Sequence, residues 1–255
     1  MAFHFKVGLK LYSTNVELIP EASRLMKEGL YDYVELYVIP GSYMQTINNW
    51  ETLDISFVIH TPHSFHDVNF AQADKWQTNQ RNFIEVQKFA DSLSAGIIIV
   101  HGGNNGSFDE TLKQLARLDE KRIALENKPC MGINGEICVG GTPEEFQKAF
   151  DSGVIKQTVL DFGHAVCAAN FLQMAPLDLI KKFAGFNPKV FHLSDGDALS
   201  EKDTHYNLGK GSMNIAGFLS TVPEGGLLTI ETPRRETEGL KDFMEDVVYL
   251  NKLIN

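Results

Sequence analysis

Short apolar segments recur along the chain, and longer amphipathic segments separate most of them. This alternation predicts parallel strands joined by helices, because a strand buried on both faces reads as a continuous apolar run. Eight segments have the length and β-branched content of such strands: FKVGLKLY, YVELYVI, ISFVIHT, GIIIVHG, RIALEN, TVLDFG, KVFHLSD and LLTIET. Strand followed by helix, repeated eight times, predicts an α/β protein that forms a single (β/α)8 barrel over residues 1–255.

Two of the predicted helices begin at capping sequences. Ser107 and Glu110 can form a capping box ahead of FDETLKQLARLDE, and Thr142 with Glu145 can form another at the start of the following helix. The shortest predicted helices lie around GSYMQTINNW and MNIAGFLSTV. An open doubly wound sheet is the alternative architecture, but no glycine-rich phosphate loop follows the first strand to support it.

The composition fits a soluble globular protein and narrows the choice of partners. The chain has 255 residues, and a barrel of this type typically needs about 250. A formal net charge of −10 argues against attraction to nucleic acid by the overall field. Cys130, Cys138 and Cys167 include no C-x-x-C pair, which predicts free thiols in a reducing cytoplasm. No apolar run approaches the roughly 18 residues of a membrane span, and nothing indicates an obligate protein partner.

Histidine and carboxylate side chains concentrate where the predicted strands end. In a (β/α)8 barrel those C-terminal ends form one mouth, which carries the active site. Such a density of imidazole and carboxylate is costly in a partly buried site unless cations neutralise it, and the donor types suit zinc, manganese or iron. The residues concerned are His60, His101, Glu126, Asp161, His164, His192, Asp195, Asp203, His205 and Glu231.

Taken one at a time, each of these residues has a plainer explanation, because most histidines and carboxylates at strand ends are only hydrogen-bonded. Asp195 and Asp197 suit a turn in SDGD. His4, His60 and His66 are expected to be structural or to support the ligands from outside. The inference of a metal site therefore rests on the coincidence across several strands.

A set of short motifs, in this order and on these strand ends, resembles the endonuclease IV family within the superfamily of xylose isomerase-like barrels. The motifs are PHSFHDVNF, VHGG, ALEN, LDFGHA, FHLSD, DTHYNLGKG and LTIETP, and they span His60 to Pro233. The resemblance implies a phosphodiesterase with three zinc ions that cuts DNA at abasic sites.

Carried over position by position, the resemblance implies three ligand sets, with Glu126, Glu231 and Asp161 as the catalytic residues. The first is His63, His101 and Glu126; the second is Glu126 as a bridge with Asp161, His192 and Glu231; the third is His164, Asp203 and His205. His63 is preferred to His60 because a ligand histidine in the family precedes an asparagine by six positions, as His63 precedes Asn69. His60 and Asp195 would support the ligands.

The chain also departs from the family where the DNA is read. DFGHA and HLSDGD stand where DNA-cutting members usually have DTCHA and HLNDSK, so Asp197 replaces a lysine. His66 occupies a position that tends to be aromatic, and ELYVIPGSYMQTINNW, after the second strand, contains no Arg or Lys. These differences put DNA binding in doubt.

Two activities remain open at this level. The first is phosphoester hydrolysis with two or three zinc ions, acting on abasic DNA or on a small sugar phosphate. The second is isomerisation or epimerisation of a sugar or sugar phosphate with one Mn²⁺ or another divalent ion, a hypothesis that Glu35 in VELY favours. A metal-binding barrel without turnover is the third class, because fold does not determine function.

Overall fold

In the computed structural model, which describes residues 4–254 apart from the side chain of residue 236, eight parallel strands close into a barrel. Each strand pairs with the next along the chain, and the last pairs with the first. The predicted (β/α)8 barrel is thereby confirmed, and the open sheet is excluded. The strands are β1 Lys6–Tyr12, β2 Tyr33–Tyr37, β3 Ser56–His60, β4 Ile98–His101, β5 Ile123–Glu126, β6 Gln157–Asp161, β7 Val190–Leu193 and β8 Leu227–Ile230.

Helices surround the barrel in the order that the sequence predicts. Within residues 4–254 they are α1 Ile19–Lys27, α2 Tyr43–Trp50, α3 Trp76–Ser92, α4 Phe108–Leu118, α5 Pro143–Asp151, α6 Phe162–Phe171, α7 Pro176–Ala184, α8 Ile215–Leu219 and α9 Lys241–Ile254. The helix predicted around MNIAGFLSTV is reduced to the five residues of α8, and β6 and β7 are joined by two helices instead of one. Of the helices described, none combines the length and the apolarity needed to cross a bilayer.

The two predicted capping boxes have different outcomes. At α5 the Thr142 hydroxyl accepts from the Glu145 backbone N–H, and the Glu145 carboxylate accepts from Thr142 in return, so the box is complete. At α4 the Ser107 hydroxyl accepts from the Glu110 N–H at 3.1 Å, but the Glu110 carboxylate accepts from Lys113 and Gln114. The second box is therefore only half formed.

Two apolar regions hold the barrel together. The larger lies between the outer faces of the strands and the helices, and the smaller forms a floor inside the barrel from Tyr33, Val58, Ile99, Ala124, Val159 and Val190. Because side chains along a strand alternate between faces, the residue two positions beyond each floor residue also points inward. Those next inward positions are polar: Glu35, His60, His101, Glu126, Asp161 and His192.

Candidate metal centre

The polar layer above the floor begins with a cluster around Glu126 at the end of β5. Its Oε2 lies 3.0 Å from His101 Nε2 and 3.3 Å from His60 Nε2. Glu126 is 1% exposed, and its Oε1 lies 3.1 Å from Nδ1 of His164. One buried carboxylate thus faces histidines from three different parts of the barrel.

The structure places His60, and not His63, within ligand distance of His101 and Glu126. His63 lies farther out, with its ring stacked on that of His101 at a centroid distance of 5.2 Å. Its backbone N–H donates to the Tyr37 hydroxyl at 3.1 Å. The geometry therefore favours His60 as the ligand, and the role predicted for His63 stays a prediction.

A second cluster surrounds His192 on β7. Its Nδ1 lies 2.8 Å from Glu231 Oε2, 3.6 Å from Glu126 Oε2 and 3.8 Å from Asp161 Oδ2. These are the residues that the sequence predicts for the bridged second metal. The structure brings all of them together on adjacent strands.

The third predicted set also comes together, although it draws on α6 and on the loop between β7 and α8. Asp161 caps α6 by accepting the His164 N–H at 2.6 Å, which fixes His164 one turn beyond the strand end. Asp203 Oδ2 lies 3.4 Å from His164 Nε2 and in close contact with His205 Nε2. Asp203 and His205, two apart in the chain, therefore face the same target from the loop.

Four histidines share one pattern of ring hydrogen bonds. His60 Nδ1 donates to the Thr61 carbonyl at 2.8 Å, His164 Nδ1 to that of Asn127 at 2.9 Å and His205 Nδ1 to that of Glu231 at 2.8 Å. His192 Nε2 donates to Glu35 Oε2 at 2.8 Å. In each ring the other nitrogen is left facing carboxylates, which is the arrangement by which proteins orient metal-ligating imidazoles.

Several buried polar atoms in the same place lack a hydrogen-bond partner. They are Asp161 Oδ2, His192 Nδ1, Asp203 Oδ1 and Glu231 Oε2. His192 Nδ1 and Glu231 Oε2 are 2.8 Å apart, but the angles at these two atoms do not fit a hydrogen bond. Unsatisfied buried polar groups are costly. Carboxylate oxygens and an imidazole nitrogen that converge without hydrogen-bond partners are suited to bind divalent cations.

Lys10 is a member of the site that the sequence analysis missed. Its Nζ lies 3.0 Å from Glu35 Oε1 and 2.7 Å from Glu231 Oε1. Glu35 is fully buried and also accepts from the Thr229 hydroxyl at 2.7 Å. The sequence could have indicated this position. Side chains alternate between the two faces of β1, and Lys10 is two positions beyond the inward-facing Gly8, so it also points inward.

The electrostatics of the site follow from burial and from these contacts. Burial and the Lys128 ammonium lower the pKa of His101 to about 3, so this ring is neutral and able to act as a ligand. Burial opposes protonation of His164 as well, but Asp161 outweighs it and raises the pKa of His164 to about 10. His205 behaves in the same way, since Asp203 raises its pKa to about 9 against the effect of burial.

Asp195 acts at a distance by holding the loop that carries Asp203 and His205. Its carboxylate accepts the backbone N–H groups of Gly196, Gly209, Gly211 and Met213 at 2.8–3.1 Å. Its backbone N–H also donates to the Tyr206 carbonyl at 3.0 Å, and the Tyr206 N–H donates to the Asp195 carbonyl at 2.7 Å. Both ends of the loop are thereby tied to the end of β7.

The remaining polar candidates lie outside the cluster. Exposed Asp197 accepts the Leu199 N–H at 2.9 Å, as a turn residue does. His4 contacts the Val222 carbonyl at 3.1 Å, and the His66 ring lies 5.9 Å from that of Tyr37. All three cysteines are free, as predicted.

A cleft of about 360 Å³ opens above the cluster. Its walls include His63, His101, Asn104, Lys128, Met131, His164 and Asp203. The Lys202 ammonium ties the two loops that flank it, by donating to the Ile133 carbonyl at 2.9 Å. Lys128 has no carboxylate within 4 Å among the residues that the structure describes, so its charge is free to meet an anion.

Comparison with known proteins agrees with the barrel and with its ligand-lined mouth. A family model described as xylose isomerase-like TIM barrel matches residues 23–253. The chain belongs to the xylose isomerase-like TIM barrel family. No curated protein sequence matches it.

Solved structures similar to this family member include enzymes of two kinds. A D-tagatose 3-epimerase-like protein is 20% identical with a TM-score of 0.75, over 98% of this chain and 97% of that one. Endonuclease IV from Thermus thermophilus is 18% identical with a TM-score of 0.69, over 97% and 99%. The 3-keto-D-glucoside 4-epimerase YcjR from E. coli is 13% identical with a TM-score of 0.69, over 97% and 99%. At these identities the likeness shows the fold alone.

Proposed function

We propose that the protein is a metal-dependent phosphoester hydrolase that acts on a small phosphorylated substrate, with zinc as the expected ion. The observation that carries this proposal is the third ligand set. His164, Asp203 and His205 converge beside Asp161 and Glu126, so the barrel presents more ligands than one ion needs. Bound divalent ions would supply a nucleophilic hydroxide near neutral pH and neutralise charge on the phosphate oxygens.

The charges in the site support more than one ion. The cluster contains one ammonium group, that of Lys10, and five carboxylates, those of Glu35, Glu126, Asp161, Asp203 and Glu231, which leaves an excess of four negative charges when the histidines are neutral ligands. Two divalent cations would balance this excess, and a third would leave two positive charges. A phosphate dianion would balance those two charges, which is the substrate chemistry proposed here.

The chain's own residues have distinct tasks in this scheme. Glu126 Oε2 lies 3.0 Å from His101 Nε2 and 3.6 Å from His192 Nδ1, so this carboxylate can join the first and second ligand sets. Asp161 and Glu231 lie on either side of His192 and complete the middle set. Lys128, at the cleft wall with no carboxylate within 4 Å among the described residues, is placed to attract and orient a phosphate group.

A small substrate is favoured over DNA by charge and size. Residues 29–74, which include the loops after β2 and β3, contain no Arg or Lys, whereas a DNA-binding surface relies on such residues for phosphate contacts. The net charge is −10, and the cleft volume of about 360 Å³ suits a sugar phosphate.

The first experiment counts metal ions per chain by elemental analysis of protein purified without chelator. We expect two to three zinc ions, fewer by about one in Asp203→Ala, and an unchanged number in the control Asp197→Ala, which alters an exposed residue of the same loop. Phosphate release from a panel of sugar phosphates, and cleavage of an abasic oligonucleotide, would then be measured. Glu126→Gln should abolish turnover while the unfolding midpoint changes little.

A sugar isomerase or epimerase is the second candidate, and a different observation favours it. Glu126 and Glu231 approach the same His192 nitrogen at 3.6 and 2.8 Å, so two carboxylates converge on one place, where either could move a proton next to a carbonyl that a single ion polarises. A single ion per chain that is retained in Asp203→Ala, with no phosphate release, would replace the hydrolase proposal by this one.

A further inference from the structure

A second cleft, of about 750 Å³, reaches the metal centre from the side of β1 and β8. It shares His205 and Glu231 with the centre, and its other walls include Lys10, Tyr12, Asn15 and Arg234. The ligand sets do not account for this cleft, since no predicted ligand other than His205 and Glu231 lines it.

Arg234 is the unusual residue of this second cleft. It is half-buried, and its Nη2 donates to Asn15 Oδ1 at 2.8 Å. The same Asn15 oxygen accepts the Tyr12 backbone N–H at 2.9 Å, so the residue that holds the guanidinium is itself fixed. Among the described residues, no carboxylate lies within 4 Å of Arg234.

Most other arginines of the chain contrast with Arg234, the exception being Arg81, which is exposed. Arg24, Arg122 and Arg235 each have a carboxylate partner at 2.5–2.8 Å, and Arg117 lies over the Trp76 ring at 3.8 Å. A guanidinium offers five N–H donors in a planar fork that matches phosphate and carboxylate groups. One donor group of Arg234 is engaged with Asn15, and the rest are left for a ligand.

Among the Lys, Arg and His side chains described on the walls of this cleft, Arg234 is the one without a carboxylate partner, since His205 contacts Asp203. Lys10 also lines the cleft, but its ammonium is already paired with Glu35 and Glu231 at 3.0 and 2.7 Å. Glu17 is the acidic residue on the outer wall, and it lies beyond 4 Å from the guanidinium. The loops after the last strands of (β/α)8 barrels commonly form phosphate sites, and Arg234 lies in the loop after β8.

We propose that Arg234, held by Asn15, forms an anion-binding subsite that takes a phosphate or carboxylate group of the substrate away from the reacting bond. That the anion belongs to the substrate rests on the proposed function, because the subsite adjoins the metal centre. The subsite itself depends only on the second cleft. It would select substrates with a second anionic group over neutral sugars and over singly charged ones.

The test reads the Arg234 side chain directly in the metal-containing protein. Inorganic phosphate, and separately acetate, are titrated while the arginine Nε–H signals are followed by NMR, with assignments from Arg234→Gln and Arg235→Gln. Saturable movement of the Arg234 signal, with that of Arg235 unmoved, is the expected result. The response to phosphate or to acetate identifies the anion, and no movement with either overturns the subsite.

Calorimetry supplies a second measurement on the same proteins. Loss of charge-assisted hydrogen bonds should weaken anion binding at the subsite about 10- to 100-fold in Arg234→Gln, whereas Arg235→Gln should bind as the wild type does. Equal binding by both variants would overturn the proposal, and unfolding midpoints establish that each variant is folded. Because neither measurement needs turnover, a failure of the hydrolase proposal leaves these outcomes interpretable.

Discussion

Replacing Lys10 by methionine should destabilise the metal-free protein by about 3 kcal/mol, the low end of the range for breaking a buried ion pair by removing one partner. The Lys10 ammonium contacts Glu35 Oε1 at 3.0 Å and Glu231 Oε1 at 2.7 Å. Glu35 is 0% exposed, so the variant keeps a buried carboxylate without its cation. The low end applies because His192 still donates to the other oxygen of Glu35.

The measurement is urea unfolding in excess chelator at pH 7 of Lys10→Met, Glu35→Gln and the double variant. A loss of about 3 kcal/mol corresponds to a fall in Tm of about 6–12 °C for a chain of this size. The double variant should be more stable than the sum of the single losses predicts, by about 1–3 kcal/mol, since neither partner is left charged and alone. Lys6→Met, an exposed position on the same strand, is the control. Additive losses, or a Lys10→Met variant as stable as Lys6→Met, would refute the reasoning.

Two further predictions concern stability away from the ligands. A Cβ at Gly8 would lie 2.3 Å from Cζ of the buried Tyr33 ring, so Gly8→Ala should lower the free energy of unfolding by about 1–3 kcal/mol through overpacking. The control Gly96→Ala, which has open space around its Cβ, should lower it much less in the same urea titration. Arg122 lowers the pKa of Glu120 from 4.5 to about 2, so this ion pair stabilises the fold above pH 4.5, and its contribution is lost as the pH falls toward 2. We expect about 1 kcal/mol for this partly exposed pair, seen as a shallower acid unfolding slope in Glu120→Gln, and an unchanged slope would contradict it.

Much of the site could be predicted because two regularities of a parallel barrel act together. Strands that run the same way deliver their last residues to one end, and alternation along each strand turns every second residue inward. His101, Glu126 and Asp161 satisfy both conditions and are found in the cluster. Their positions followed from the boundaries of the strands, which the apolar runs mark clearly.

For His60 and His63, two regularities favour different residues as the ligand. A motif spacing from Asn69 favours His63, but His60 is the last residue of β3 and two positions beyond the floor residue Val58, so alternation turns it inward. Asn69 is buried, and its side chain bonds the backbone of Ala71 and Asn104 at 2.9–3.1 Å. The asparagine therefore holds a loop together, whereas alternation along β3 favours His60 as the histidine that faces the centre.

Lys10 was overlooked because a lysine in an apolar strand is usually expected to be exposed. Its place in the alternation of side chains along β1, however, turns it into the barrel. Because of Lys10, the two sides of the barrel mouth differ in how their carboxylates are neutralised. On the side of β1 and β2 the protein supplies its own cation, and Glu35 is neutralised by it. Glu126, Asp161 and Asp203, on the side of β5 to β7, have no Lys or Arg within 4 Å in the part of the chain that the structure describes, and two of them carry unpaired buried oxygens. The cations of the proposed function would therefore lie toward that side, since the grouping of Glu35, His192 and Glu231 already contains the ammonium of Lys10.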